Sequence, residues 1–183
     1  MVTSKLHVVF VYGTLKTGQP NHWNINKTEG FQELLGKGTT FDKFPLLVGT
    51  RYNIPYLLNK KGEGLNVQGE IYRVDDQKLA HLDILEKHPV IYTRHQEKVI
   101  LDETGEQLNA WIYVLPKWNP QFPLKATKPI VNYQHDGPRI LLAGIKREDM
   151  TDKDVVNLFN DVLGYDPRNE NNKELFASYS TTK

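Results

Sequence analysis

The spacing of hydrophobic and polar positions changes period several times along the chain, and each change predicts a boundary. Leu6 to Val11 contains the run Val8-Val9-Phe10-Val11, nearly all β-branched or aromatic, which reads as a buried strand. It passes abruptly into the glycine-punctuated polar stretch Tyr12-Gly13-Thr14-Leu15-Lys16-Thr17-Gly18-Gln19-Pro20-Asn21-His22, the pattern of a binding loop carried on a rigid scaffold. Asn21 to Gly30 predicts a short helix capped by Asn21 or Asn24, with Trp23 and Ile25 as its apolar contacts. Phe31 to Leu35 leads into Gly36-Lys37-Gly38-Thr39-Thr40-Phe41, a composition that suits a bent or bulged strand. Phe44 to Val48 and Asn53 to Leu58 are extended pieces whose prolines place them at sheet edges or pocket rims.

Lys60 to Gly64 is a turn, and Val67 to Val74 alternates like a half-buried strand. The period then shifts: Asp75-Asp76 supplies an acidic N-terminus for a helix from Gln77 through Lys87, stopped before Pro89. Tyr92 to Leu101 and Asn109 to Leu115 predict an antiparallel hairpin across the polar turn Asp102 to Glu106. Pro116 to Pro138, rich in proline and aromatics, predicts an ordered loop. Thr151 to Leu163 predicts a second helix, with Thr151 and Asp154 as a capping box, an apolar stripe of Val155, Leu158, Phe159 and Val162, and Gly164 as the stop. Many short strands with two or three helices that do not alternate with them imply an α+β fold on a strongly bent or barrel-like sheet.

Composition narrows the function classes. The 183 residues suffice for one core, and no linker-like stretch divides them, so one domain is expected. Lys and Arg, 23 together, nearly cancel the 22 Asp and Glu, which gives no pull toward nucleic acid or an anionic membrane. The absence of cysteine removes disulfides, thiolate metal sites and a cysteine nucleophile. The apolar run Leu6 to Tyr12 is too short for a membrane span and lacks the pattern of a signal peptide, so a cytoplasmic protein is expected.

Two places offer chemistry. On the helix after Asp75, Glu86 lies seven residues after Leu79 and four after Leu82, on the stripe those leucines define, with Asp83 one turn earlier. A glutamate there either reaches out to water or pairs with Arg94 or Lys87, or it is a desolvated carboxylate whose pKa rises toward neutrality as a general base or acid requires. Gly13 either makes a plain β-turn exit or lets the chain turn with backbone N–H groups aimed at a ligand. The loop is not a P-loop, because no Lys-Ser/Thr follows Gly18, and it is not a dinucleotide fingerprint. The six histidines, at 7, 22, 81, 88, 95 and 135, lack metal-ligand spacing, and there is no Gly-x-Ser-x-Gly elbow. No metal is expected.

The segments Tyr12 to His22, Asn53 to Leu57, Gly69 to Tyr72 and Leu82-Asp83-Ile84-Leu85-Glu86-Lys87-His88-Pro89-Val90-Ile91-Tyr92-Thr93-Arg94, in this order, resemble the γ-glutamylcyclotransferase-like (AIG2-like) superfamily over roughly residues 6 to 140. Within it the chain is most similar to the γ-glutamylamine cyclotransferases. The resemblance implies a small mixed β-barrel flanked by helices, in a single domain spanning 1–183 with residues 146–183 as a C-terminal extension containing a helix. It implies an enzyme that cyclises a γ-glutamyl amide, such as γ-glutamyl-ε-lysine, to 5-oxoproline and releases the amine, with no cofactor and as a monomer. Backbone amides of Tyr12, Gly13, Thr14 and Leu15 are expected to hold the glutamyl group, Ile54 and Tyr92 to line the pocket, and Glu86 to be the catalytic carboxylate. Tyr56, Arg94 and Tyr133 are further lining candidates, with packing at the barrel rim as the other role. A different leaving amine, or a cavity that binds without turnover, remains open at this level.

Overall fold

The computed structural model describes residues 5–50, 53–135 and 159–164. In chain order its elements are β1 (Leu6–Val11), α1 (Trp23–Asn26), β2 (Gln32–Thr40), β3 (Leu46–Gly49), β4 (Ile54–Leu57), β5 (Gln68–Asp75), α2 (Asp76–Leu85), β6 (Thr93–Leu101), β7 (Gln107–Val114) and α3 (Phe122–Lys125). Five strands close a barrel in the order β1-β5-β2-β6-β7, and β3 pairs with β4 in a separate two-stranded sheet. The barrel is mixed, because β1 meets β7 in parallel at Val9 and Trp111 while the other ladders are antiparallel. The α+β barrel flanked by helices, expected from the resemblance, is the fold observed.

Alternation along β1 explains why it reads as continuously apolar. Phe10 points into the barrel with Ile71, Val99 and Ile112, whereas Val9 and Val11 point outward onto a second core with Tyr72, Leu79, Leu82 and Ile25. A strand covered on both faces needs no polar positions. The same packing corrects the reading of β5 as half-buried: Gly69, Glu70, Ile71 and Tyr72 are all buried, because α1 and α2 cover the face that alternation assigned to solvent. In β2 the expected irregularity is present as a register shift against β5 between Leu34 and Gly36. The expected β6–β7 hairpin is present, in register from Thr93–Val114 to Ile100–Gln107, with the second strand starting at Gln107 rather than Asn109.

The caps differ in detail from the sequence reading. Asp75 caps α2 as expected, its carboxylate accepting the Lys78 N–H at 2.8 Å. Neither Asn21 nor Asn24 caps α1: the preceding residue is His22, itself helical at φ −56° and ψ −28°, with no side-chain cap. The chain enters this helix from a series of turns, and a capping side chain needs extended backbone to reach back to the first N–H groups. Helix α2 ends at Leu85, earlier than Lys87, with Glu86 as C-cap. Lys87 turns left-handed at φ +53°, its N–H bonds Ile84 O at 3.2 Å, and the His88 N–H bonds Asp83 O at 2.9 Å, the two closing bonds of a Schellman motif. A non-glycine residue in that conformation costs about 1 kcal/mol. Lys87→Gly is therefore expected to raise stability by about 0.5–1 kcal/mol, readable as a higher urea midpoint with an unchanged slope.

The expected loop after Pro116 contains the short α3, whose Phe122 is buried against Leu47, Tyr56 and Val162. Of the expected helix from Thr151 to Leu163, residues 151–158 lie outside the described residues; Phe159–Leu163 form a π-helical turn followed by Gly164 at φ +71°. The rest of the expected 146–183 extension also lies outside them. No helix among the described residues is long and apolar enough to cross a membrane.

Candidate active site

The site begins where β1 runs out. Consecutive turns carry the chain from Gly13 to His22: Lys16 N–H bonds Gly13 O at 3.2 Å, Gln19 N–H bonds Lys16 O at 2.9 Å, and His22 N–H bonds Gln19 O at 3.1 Å. Asn21 returns to Thr14 twice, backbone to backbone at 3.0 Å and through its Nδ2 to the Thr14 hydroxyl at 3.1 Å. His22 Nδ1 sits 2.9 Å from Leu15 O. Gly13 is required by packing, since a Cβ there would lie 2.7 Å from Pro55 Cγ. Gly13→Ala is accordingly expected to displace Pro55 or the turn and to raise the KM for a bound small molecule by about tenfold or more in steady-state kinetics.

These elements enclose one cavity of about 90 Å³, lined by Phe10, Val11, Tyr12, Gly13, Thr14, Leu15, Ile54, Pro55, Glu86, Tyr92 and Tyr113. Of the positions singled out from the sequence, Tyr12 to Leu15, Ile54, Glu86 and Tyr92 are on its wall. Four separate segments supply them. The β1 exit brings the turn, the start of β4 brings Ile54 and Pro55, the end of α2 brings Glu86, and the loop after it brings Tyr92. The return of Tyr92 is direct, its N–H lying 3.4 Å from the Glu86 carbonyl. Glu86 is half-buried, and it is the sole carboxylate among the lining residues.

Two phenols flank that carboxylate. Tyr12, 8% exposed, donates its hydroxyl to the Tyr113 carbonyl at 2.8 Å. Burial, and next the charge of Glu86, push its pKa well above the usual phenol value. Tyr113 donates to Asp83 Oδ1 at 2.6 Å, and burial, that bond and the charges of Asp83 and Glu86 raise its pKa as well. Both phenols therefore keep their protons at neutral pH.

The remaining candidates stand elsewhere. Arg94 lays its guanidinium over the Trp111 ring at 4.4 Å and reaches Asp83 Oδ1 at 3.3 Å, so its observed carboxylate neighbour is Asp83. Tyr133 is fully buried in the barrel core, its hydroxyl donating to Asn53 O at 3.0 Å. Tyr56 packs edge-on against Phe122 at 5.0 Å. None of the three is among the cavity-lining residues. Pro55 and Tyr113 are lining residues that the sequence did not single out. Pro55 had a hint in its expected place at a pocket rim, but Tyr113 had none, since an aromatic in a buried strand is ordinary core. Among the described residues no group of three or more His, Asp or Glu could hold a metal ion.

A closed five-stranded α+β barrel with a half-buried carboxylate at a glycine turn defines the class of protein. The chain belongs to the family described as Gamma-glutamyl cyclotransferase, AIG2-like, matched over residues 9–134. A Drosophila melanogaster protein with gamma-glutamylcyclotransferase in its name is 50% identical over 108 residues, 58% of this chain and 68% of its own length. The Rattus norvegicus protein named Gamma-glutamylaminecyclotransferase is 36% identical over 137 residues, 71% of this chain and 91% of its own. The crystal structure of an AIG2-like protein from Mus musculus superposes with a TM-score of 0.67 at 36% identity, covering 73% of this chain and 91% of that one.

Proposed function

We propose that this protein is a γ-glutamylamine cyclotransferase, which converts a γ-glutamyl amide such as γ-glutamyl-ε-lysine to 5-oxoproline and the free amine. The observation that carries the reading is the meeting of Glu86 with the Tyr12 to Leu15 turn in one small cavity. Relatives with that activity in their names add support. In the proposed reaction the backbone amides of the turn hold the glutamyl group, and Glu86 takes a proton from its α-ammonium. The freed amine attacks the γ-carbonyl, forming the ring C–N bond. The amide C–N bond then breaks as Glu86 returns the proton to the departing nitrogen, and the second proton shed by the ring nitrogen ends on the released amine, which leaves as the ammonium. The nucleophile belongs to the substrate, so the protein contributes orientation, proton transfer and stabilisation of the developing oxyanion, and the scheme needs no cofactor.

The turn bonds support this division of labour, because they use the N–H groups of Lys16, Gln19, Asn21 and His22, which follow the proposed substrate-holding segment. The same reading treats residues 146–183 as an extension of the cyclotransferase unit, consistent with a family match that stops at residue 134. A cytoplasmic site of action is proposed on the cysteine-free composition.

Purified protein incubated with γ-glutamyl-ε-lysine, γ-glutamyl-alanine and glutathione, with 5-oxoproline followed by mass spectrometry, tests the proposal. Release from γ-glutamyl-ε-lysine in preference to the other two is the expected result. Preference for γ-glutamyl-alanine would reassign the leaving group, and no release from any of the three would favour a binding protein.

A further inference from the structure

Behind the cavity, the loop is held by two buried charges of opposite sign that the proposed chemistry does not use. Glu70, on β5 and 8% exposed, gathers three donors on its Oε2: the Thr17 N–H at 2.8 Å, the Thr17 hydroxyl at 3.1 Å and the Tyr72 hydroxyl at 2.8 Å. One residue earlier, Lys16 is 7% exposed and reaches toward the late loop, where its Nζ donates to Asn132 Oδ1 and to Tyr133 O. The His135 N–H adds a bond to Gln19 Oε1 at 2.9 Å.

No direct ion pair joins Lys16 to Glu70, although each feels the other's field. Each charge instead directs its hydrogen bonds to neutral groups, Glu70 tying the loop to β5 and Lys16 tying it to the late loop. A buried charge without a direct counter-ion is tolerated only while its hydrogen bonds are kept. Movements of the loop that break them are therefore strongly disfavoured. Lys16 and Thr17 directly follow Gly13 to Leu15, so the clamp sets where those backbone groups point.

Resting on the reading that this turn holds the substrate, we propose that Glu70 and Lys16 are positioning residues that clamp the Tyr12 to Leu15 turn in its binding geometry. Charge-assisted bonds to a carboxylate are about twice as strong as neutral ones, so Glu70→Gln weakens the clamp with little change in volume. The expected result is a KM for γ-glutamyl-ε-lysine raised about tenfold with kcat within about twofold, because Glu86 is untouched. Deuterium exchange at the Thr17 amide is expected to quicken about tenfold or more while barrel amides keep their protection. Thr17→Val, which removes one donor and leaves the carboxylate in place, is expected to shift KM in the same direction by a smaller factor, and it serves if the glutamine variant does not fold. Unchanged KM and unchanged Thr17 exchange would overturn the proposal, as would a fall in kcat with KM preserved. Failure of the parent protein to form 5-oxoproline would instead sink the functional reading, while Thr17 exchange, which needs no substrate, would still decide the clamp.

Discussion

Glu86→Gln is expected to lower kcat/KM for 5-oxoproline formation by about 10²- to 10⁴-fold, the usual contribution of a positioned acid–base group. The substitution keeps the side chain's size and its place at the end of α2, and it removes the ability to carry a proton between the two nitrogens. Nothing else on the cavity wall replaces it. Tyr12 and Tyr113 have pKa values raised by burial and by Glu86 itself, and their protons are already committed to the Tyr113 carbonyl and to Asp83. Circular dichroism and thermal unfolding of the variant are expected to match the parent, which separates lost chemistry from lost structure. A variant that turned over γ-glutamyl-ε-lysine at close to the parent rate would remove Glu86 from the mechanism.

The largest expected effect on stability comes from Gly69→Ala. A Cβ at this position would lie 2.3 Å from Val11 O and 2.6 Å from Phe10 Cζ, contacts that neither a strand carbonyl nor a fully packed ring can relieve by a small shift. Overpacking of this kind costs about 3 kcal/mol. For a domain of this size that corresponds to a thermal midpoint lower by about 10 °C in a scanning calorimeter. The strain falls on β1, which delivers the turn proposed to hold the substrate, so activity is expected to fall at temperatures well below the midpoint. A midpoint within about 2 °C of the parent would mean that β1 and β5 pack with room to spare.

The legible parts of the fold were those governed by local periodicity and capping. The hairpin of β6 and β7, the bulged β2, the Asp75 cap and the buried Leu79 and Leu82 of α2 depend on residues close in sequence, and each stands as read. The misread parts depend on neighbours far along the chain. The β5 strand looked half-buried because its alternating polar position, Glu70, implies water, whereas Thr17 and Tyr72 satisfy that carboxylate inside the protein. The α1 cap was misplaced because side-chain type was read without the helical backbone at His22.

For the candidate site, residue types and motif order singled out Glu86, the Tyr12 to Leu15 turn, Ile54 and Tyr92, all of which line one cavity. The apolar stripe selected a carboxylate out of place, and a glycine followed a buried strand, both of which are local signals. Only the closed barrel decided that these segments share one cavity, since strand pairing across β1, β5 and β7 and the packing of α2 on their outer face set distances that no spacing encodes. The same closure brought Tyr113 beside Glu86, directed Arg94 to Asp83 and Trp111, and buried Tyr133. The sequence by itself determined which groups could react and where the chain could turn, because both follow from side-chain chemistry and backbone freedom. Which groups meet was decided by tertiary packing, because a contact between residues some seventy positions apart depends on how the whole barrel closes.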